Sequence, residues 1–117
     1  MIYVGIDVAK ETHYAAVMDD NNNVLVKPFD FTNDAVGFAK LISKLTSFPK
    51  EKLLFGLEST GIYSENLIAF LYDSGFSIAV INPIQTATLR KTGIRKTKTD
   101  KTDTLLIIKS LMVNPYH

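Results

Sequence analysis

The spacing of apolar residues along this 117-residue chain changes several times, and each change marks an element. Residues 2–9 are apolar and rich in β-branched side chains, interrupted by Asp7. After Lys10, Glu11 and Thr12 a second apolar run covers 13–18 and stops at Asp19, Asp20, Asn21, Asn22 and Asn23, a cluster that signals a turn. Residues 24–31 alternate loosely, so the chain is expected to open with an antiparallel meander of three strands. The pattern then becomes helical: Val36, Phe38, Ala39, Leu41, Ile42 and Leu45 recur at helical spacing, Thr32 or Asn33 can cap them, and Pro49 ends the stretch.

Residues 52–57 read as a fourth strand and Ser59, Thr60 and Gly61 as a break. Residues 64–72 then carry Leu67, Ile68, Leu71 and Tyr72 at helical spacing, with Gly75 placed to end that helix. Residues 76–81 form a short apolar strand halted by Asn82 and Pro83, and Pro83 suits the first turn of a short helix reaching about Leu89. After a basic stretch, Thr99 can cap a last helix over 100–113. Leu105, Leu106, Ile108, Leu111 and Met112 give it an apolar face, and Asn114-Pro115 ends it. Three strands followed by alternating helices and strands predict an α/β fold. Its mixed five-stranded sheet would have antiparallel hairpins first, then parallel strands joined by crossovers, with helices on its faces.

Composition changes this picture in only a few places. The length fits one domain, there is no internal repeat, and no apolar run approaches the roughly 20 residues of a membrane-spanning helix. Zero cysteines exclude disulfides and thiolate metal sites, and with no secretory signal at the start the expected compartment is the cytoplasm. The net charge is only +1, yet Arg90, Lys91, Arg95, Lys96, Lys98 and Lys101 cluster, with no acidic residue between Asp73 and Asp100 to offset them. Such a stretch is a candidate contact for nucleic-acid phosphate; a solvated basic loop is the plainer reading.

Four carboxylates stand out. Asp7 interrupts an apolar strand, where a buried unpaired charge is costly, and Glu58 follows the apolar stretch 53–57 at a strand end. Asp100 and Asp103 are three apart, which puts both on one face of a helix. Each has a bland role on its own: a turn cap for Asp7, an exposed edge for Glu58, and helix-terminal charge for the last two, worth about 0.3–1 kcal/mol each. Together they would form an oxygen-only site at one sheet edge, suited to a hard ion such as Mg²⁺ or Mn²⁺, and paired ions of that kind serve phosphoryl transfer. His13, in a strand pattern, and terminal His117 read as structural or solvated, and Tyr63 could lie beside such a site. Gly56, Gly61, Gly75 and Gly93 form no nucleotide-binding fingerprint.

Four segments match a known pattern in order: residues 3–10 around Asp7, 57–63 around Glu58, 80–83, and 98–103 around the last two aspartates. They resemble the motifs of the DEDD transposases of insertion-sequence type one-ten, whose N-terminal domain is similar to the RuvC resolvase and has the ribonuclease-H-like fold. The resemblance implies that Asp7, Glu58, Asp100 and Asp103 form the acidic tetrad that holds Mg²⁺ or Mn²⁺. It also implies DNA as substrate, a structured guide RNA encoded by the element as partner, and a homo-oligomer for the full-length protein. Thr104 stands where the family usually has Ala. The family's serine nucleophile lies in a second, C-terminal domain, so the chain is expected to be one RuvC-like domain, the N-terminal piece of a longer transposase. Two other readings compete with this one. In an actin-like or sugar-kinase-like ATPase, Gly5-Ile6-Asp7 would begin a phosphate loop, but Ala9 and Lys10 replace the expected glycine. A non-catalytic nucleic-acid-binding module would need only the basic stretch.

Overall fold

The hairpin and crossover pattern is realised in one five-stranded sheet. The computed structural model describes residues 1–58, 61–81 and 100–113, with backbone alone for 100–103 and 113. Strands β1 (Ile2–Asp7), β2 (Thr12–Asp19) and β3 (Val24–Thr32) form the meander, followed by α1 (Ala35–Ser43), β4 (Leu53–Glu58), α2 (Glu65–Asp73), β5 (Ser77–Ile81) and α3 (Asp100–Val113). The strand order is β3-β2-β1-β4-β5. β1 pairs antiparallel with β2 and parallel with β4, and β4 pairs parallel with β5. The expected short helix after Pro83 lies outside the described residues.

Several boundaries differ from the sequence reading for local reasons. β1 ends at Asp7 rather than at residue 9, because Asp7 is the last residue paired with β2, opposite Tyr14. The cap of α1 is Asp34, not Thr32 or Asn33: its backbone is extended, its carboxylate accepts from the Gly37 N–H at 2.8 Å, and Thr32 Oγ1 donates to it at 2.6 Å. Val36 and Tyr72, expected on apolar helix faces, are 79% and 75% exposed. The core-facing stripe runs instead through Phe38 and Leu41 of α1 and Leu45 just past its end, and Val36 sits about half a turn around from Phe38. Gly75 does end α2, at a φ of +84° that glycine adopts without a Cβ clash. Its N–H donates to the Tyr72 carbonyl and the Phe76 N–H to the Leu71 carbonyl, the two bonds of a Schellman motif.

Side chains alternate across the sheet, so β1, β2, β4 and β5 contribute to the cores on both faces. Val4 and Ile6, Ala15 and Val17, and Leu53, Phe55 and Leu57 join Phe38 and Leu41 of α1 and Leu67 and Leu71 of α2 in the larger core. On the opposite face Ile107, Ile108 and Leu111 of α3 cover Leu54, Ala79, Ile81, Ala16 and Met18, with Tyr3 partly buried among them. α3 is less one-sided than its sequence suggested, since Thr104, Ile107 and Ser110 are buried as well.

Two glycines make room for α3. A Cβ on Gly5 would strike the Thr104 carbonyl oxygen and come within 2.6 Å of Ile108 Cγ1, and one on Gly56 would lie 2.7 Å from Leu111 Cγ. A leucine side chain can rotate away, whereas a helix backbone carbonyl moves only if the helix moves. Gly5→Ala is therefore expected to cost about 1–3 kcal/mol, the usual range for overpacking, and Gly56→Ala less. Urea unfolding of the two variants checks the order; equal midpoints would contradict it.

Candidate active site

The carboxyl ends of the parallel strands β1, β4 and β5 come out at one edge of the sheet. Ile6 pairs with Leu57, Leu57 with Val80, and Glu58 with Ile81, while Asp7 pairs with Tyr14 on its other side. Continuing the β1–β4 register by one residue sets Asp7 beside Glu58 on strands about 4.8 Å apart. Both follow residues of the larger core, Ile6 and Leu57, so by alternation both belong to the opposite, α3-covered face. The last row of that face therefore reads Tyr14, Asp7, Glu58, Ile81. Asp7 and Glu58 are half-buried, at the rim where solvent and cations can still reach a carboxylate.

Helix α3 packs on this face. Thr104 and Ile108 meet Gly5, Leu111 meets Gly56, and Ile107 and Leu111 sit over Leu54 and Ala79. Asp100, Lys101 and Asp103 lie in the first turn of α3, immediately before Thr104. The side chains of Asp100, Lys101 and Asp103 lie outside the described residues, as do Arg90, Lys91, Arg95, Lys96 and Lys98. Of the four expected acids, the register thus sets Asp7 and Glu58 side by side. No group of three or more metal-binding side chains occurs among the described residues. A groove of about 610 Å³ lined by Ala35, Phe38, Ala39, Ile42, Ser43, Thr46 and Phe70 opens on the other side, along α1. With no acid, base or cation in its lining, it is not where the chemistry is expected.

The sequence profile of the IS110-type DEDD family, described as Transposase, matches residues 4–116. The chain belongs to that family. Pilin gene-inverting proteins of Moraxella lacunata and Moraxella bovis are each 32% identical to it over 110 residues, 92% of this chain and 33% of theirs. This transposase-family chain thus spans about a third of the length of the curated relatives it matches. Thermus thermophilus RuvC, solved in complex with a Holliday junction substrate, has a TM-score of 0.64 at 14% identity, covering 94% of this chain and 91% of its own. Another Thermus thermophilus RuvC structure gives 0.62 at 15% identity, covering 94% and 92%. The fold is therefore RuvC-like, of the ribonuclease-H-like class, as the family resemblance implied. No helix among the described residues is long and apolar enough to cross a membrane.

Two residues near the acidic row carry more than their sequence context suggested. Tyr14 reads as an ordinary strand aromatic, yet the hairpin register makes it the neighbour of Asp7; only the turn length between β1 and β2 could have signalled this. His13, one residue earlier, points to the opposite face, is fully buried against Phe31 at 5.3 Å between ring centroids, and its Nδ1 accepts the Ala9 N–H at 3.1 Å. Burial holds its pKa below the ordinary value of 6.5, with hydrogen bonding to the Asn33 side chain acting the other way. The folded state therefore binds this proton more weakly than the unfolded chain. The resulting stabilisation is complete above pH 6.5 and is lost as pH falls from there toward the lowered folded-state value. His13→Phe should flatten the stability profile of the transposase-family chain between pH 6.5 and 5. Urea midpoints measured across that range check it, and an unchanged slope would contradict it.

Proposed function

We propose that the chain is the metal-dependent catalytic core of a transposase that cuts and rejoins DNA, with Asp7, Glu58, Asp100 and Asp103 as its acidic tetrad. The observation that carries this reading is the adjacency of Asp7 and Glu58 at the carboxyl edge of the central parallel strands, on the face that α3 covers; the other two acids occur in the first turn of that helix. In open α/β sheets, that edge is where ligands bind. The donor set fits hard divalent ions: it consists of carboxylate oxygens alone, with no thiol anywhere in the chain. Mg²⁺ or Mn²⁺ bound there would supply activation of the attacking hydroxyl or water and stabilisation of the leaving phosphodiester oxygen. The protein's own contribution is to hold carboxylates together on rigid strands and to carry Arg90, Lys91, Arg95, Lys96, Lys98 and Lys101 on the stretch of chain that leads into α3.

The pilin gene-inverting relatives and the RuvC–Holliday junction neighbour support double-helical DNA as the substrate class. A structured guide RNA and a homo-oligomer of the full-length protein belong to the same reading through the family resemblance. Because the chain covers 33% of those relatives, a further domain would provide the serine nucleophile for strand exchange.

Clustered carboxylates repel, and a cation that binds only the folded state relieves this and stabilises the fold. Millimolar Mn²⁺ should raise the unfolding temperature, by an amount corresponding to about 2.7 kcal/mol at a hundredfold excess over Kd. Asp7→Asn should abolish the rise, whereas Asp20→Asn, in the β2–β3 turn near the N-terminus, should leave it intact. If neither the free nor the DNA-bound chain responds to Mn²⁺, the catalytic reading is wrong.

The basic stretch should grip phosphate rather than read bases, since lysines present point charges on flexible stems. Replacing Arg95, Lys96 and Lys98 together with Ala should weaken DNA binding uniformly across sequences. The slope of log affinity against log salt should become shallower by about 0.9 for each phosphate that the variant no longer neutralises. An unchanged slope in fluorescence-anisotropy titrations would remove the stretch from the interface.

A further inference from the structure

The segment that carries Asp7 into the site is held from the opposite face of the sheet by groups with no place in the proposed chemistry. Between β1 and β2 the chain runs from Val8 to Glu11, and three of its backbone groups are tied. Ala9 N–H donates to His13 Nδ1 at 3.1 Å, the Glu11 carbonyl accepts the Asn33 N–H at 2.9 Å, and the Lys10 carbonyl accepts the Asn33 side-chain amide at 3.5 Å. The ring itself is fixed. It is fully buried on the larger core, edge-on to Phe31, so it cannot swing away from Ala9 without opening a hole in that core. Its other nitrogen, Nε2, and the Asn33 Oδ1 are both buried without a close partner among the described residues. A buried neutral histidine whose Nδ1 accepts a backbone N–H has its tautomer set: Nδ1 bare, Nε2 protonated.

We propose that His13, backed by Asn33, is a positioning residue for Asp7. It fixes the backbone just beyond the end of β1, and so the direction in which the Asp7 carboxylate leaves the sheet beside Glu58. This rests on the reading of Asp7 as a metal-holding carboxylate. The physical need is specific. Asp7 closes the last ladder pair of β1, and the Ala9 N–H, two residues on, is past the end of the ladder. Without His13 that N–H would turn to water and the strand end would fray, and a carboxylate displaced by a fraction of an ångström no longer shares a cation with its neighbour. The sequence places the histidine where a hairpin of this length returns it beneath the loop, one residue before Tyr14, the partner of Asp7.

The test compares the full chain with its His13→Leu, His13→Asn and Asp7→Asn variants, titrated with Mn²⁺ alone and followed by the electron paramagnetic resonance of the free ion. Leucine fills the apolar volume but offers no acceptor; asparagine puts an oxygen near the position of Nδ1. The expected result is a roughly 10- to 100-fold weaker Mn²⁺ affinity in His13→Leu, the loss typical when a group orienting a metal ligand is removed, with most of it recovered in His13→Asn. In the parent chain, ¹⁵N spectra should show Nδ1 unprotonated at neutral pH, and the Ala9 amide should exchange slowly, becoming fast in His13→Leu. Full Mn²⁺ affinity in His13→Leu, with binding lost in Asp7→Asn, would overturn the positioning role and leave the metal site standing. Unchanged affinity in both variants would instead remove the metal site, and the positioning role with it. Should His13→Leu fail to fold, the parent decides: a protonated Nδ1 or a rapidly exchanging Ala9 amide overturns the proposal.

Discussion

The parallel pairing of β1 with β4 is the constraint from which the rest of this molecule follows. Parallel strands cannot be joined by a tight turn, because the chain must return to the starting edge before it can pair again. The meander through β2 and β3 and the crossover through α1 make that return, and they deliver Glu58 next to Asp7 although the two are far apart in sequence. Because a slip of one residue would turn every side chain of β4 to the wrong face, the apolar pattern of Leu53, Phe55 and Leu57 that selects the core also decides where Glu58 points. Folding energy and site geometry are therefore set by the same register.

The two faces divide the work. The α1–α2 face is a thick core of branched and aromatic side chains, including the Phe38–Phe70 and Phe55–Phe76 ring pairs at 5.0 Å, and it contains almost no chemistry. The α3 face is built for approach: glycines at the centres of β1 and β4 let a helix backbone come to the sheet surface where any side chain would hold it off. A charged group is tolerated on that face only at its rim, which is where Asp7 and Glu58 are found half-exposed. The proposed site thus sits at the solvent-reached rim of a scaffold that is still rigid beneath it.

Polar groups on the core side have a quieter function. Asp34 begins α1, Asn33 binds the carbonyls of the β1–β2 loop, and His13 takes the N–H that follows the end of β1. Three neighbouring polar residues were available to cap the helix, and the division among them follows from geometry. Asp34 is the residue whose extended backbone aims its carboxylate at the helix, leaving Asn33 free to reach back across the hairpin.

The sequence by itself determined the class of fold, the order and type of the strands and α-helices among the described residues, the turn at Asp19–Asn23, the end of α2 at Gly75 and the four acids worth watching. All of these depend on local periodicity, on turn chemistry or on motifs read in order, and those survive in a single chain. Only the tertiary structure decided that Asp7 and Glu58 share a face and a row, that Tyr14 joins them, and that His13 lies beneath the loop and not beside the carboxylates. Strand adjacency and face depend on register between segments distant in sequence, and a period-two pattern says which residues lie together without saying which face they share with another strand. The same limit explains Val36 and Tyr72: apolar side chains at helical spacing mark a helix, while the element it packs against selects which stripe is buried.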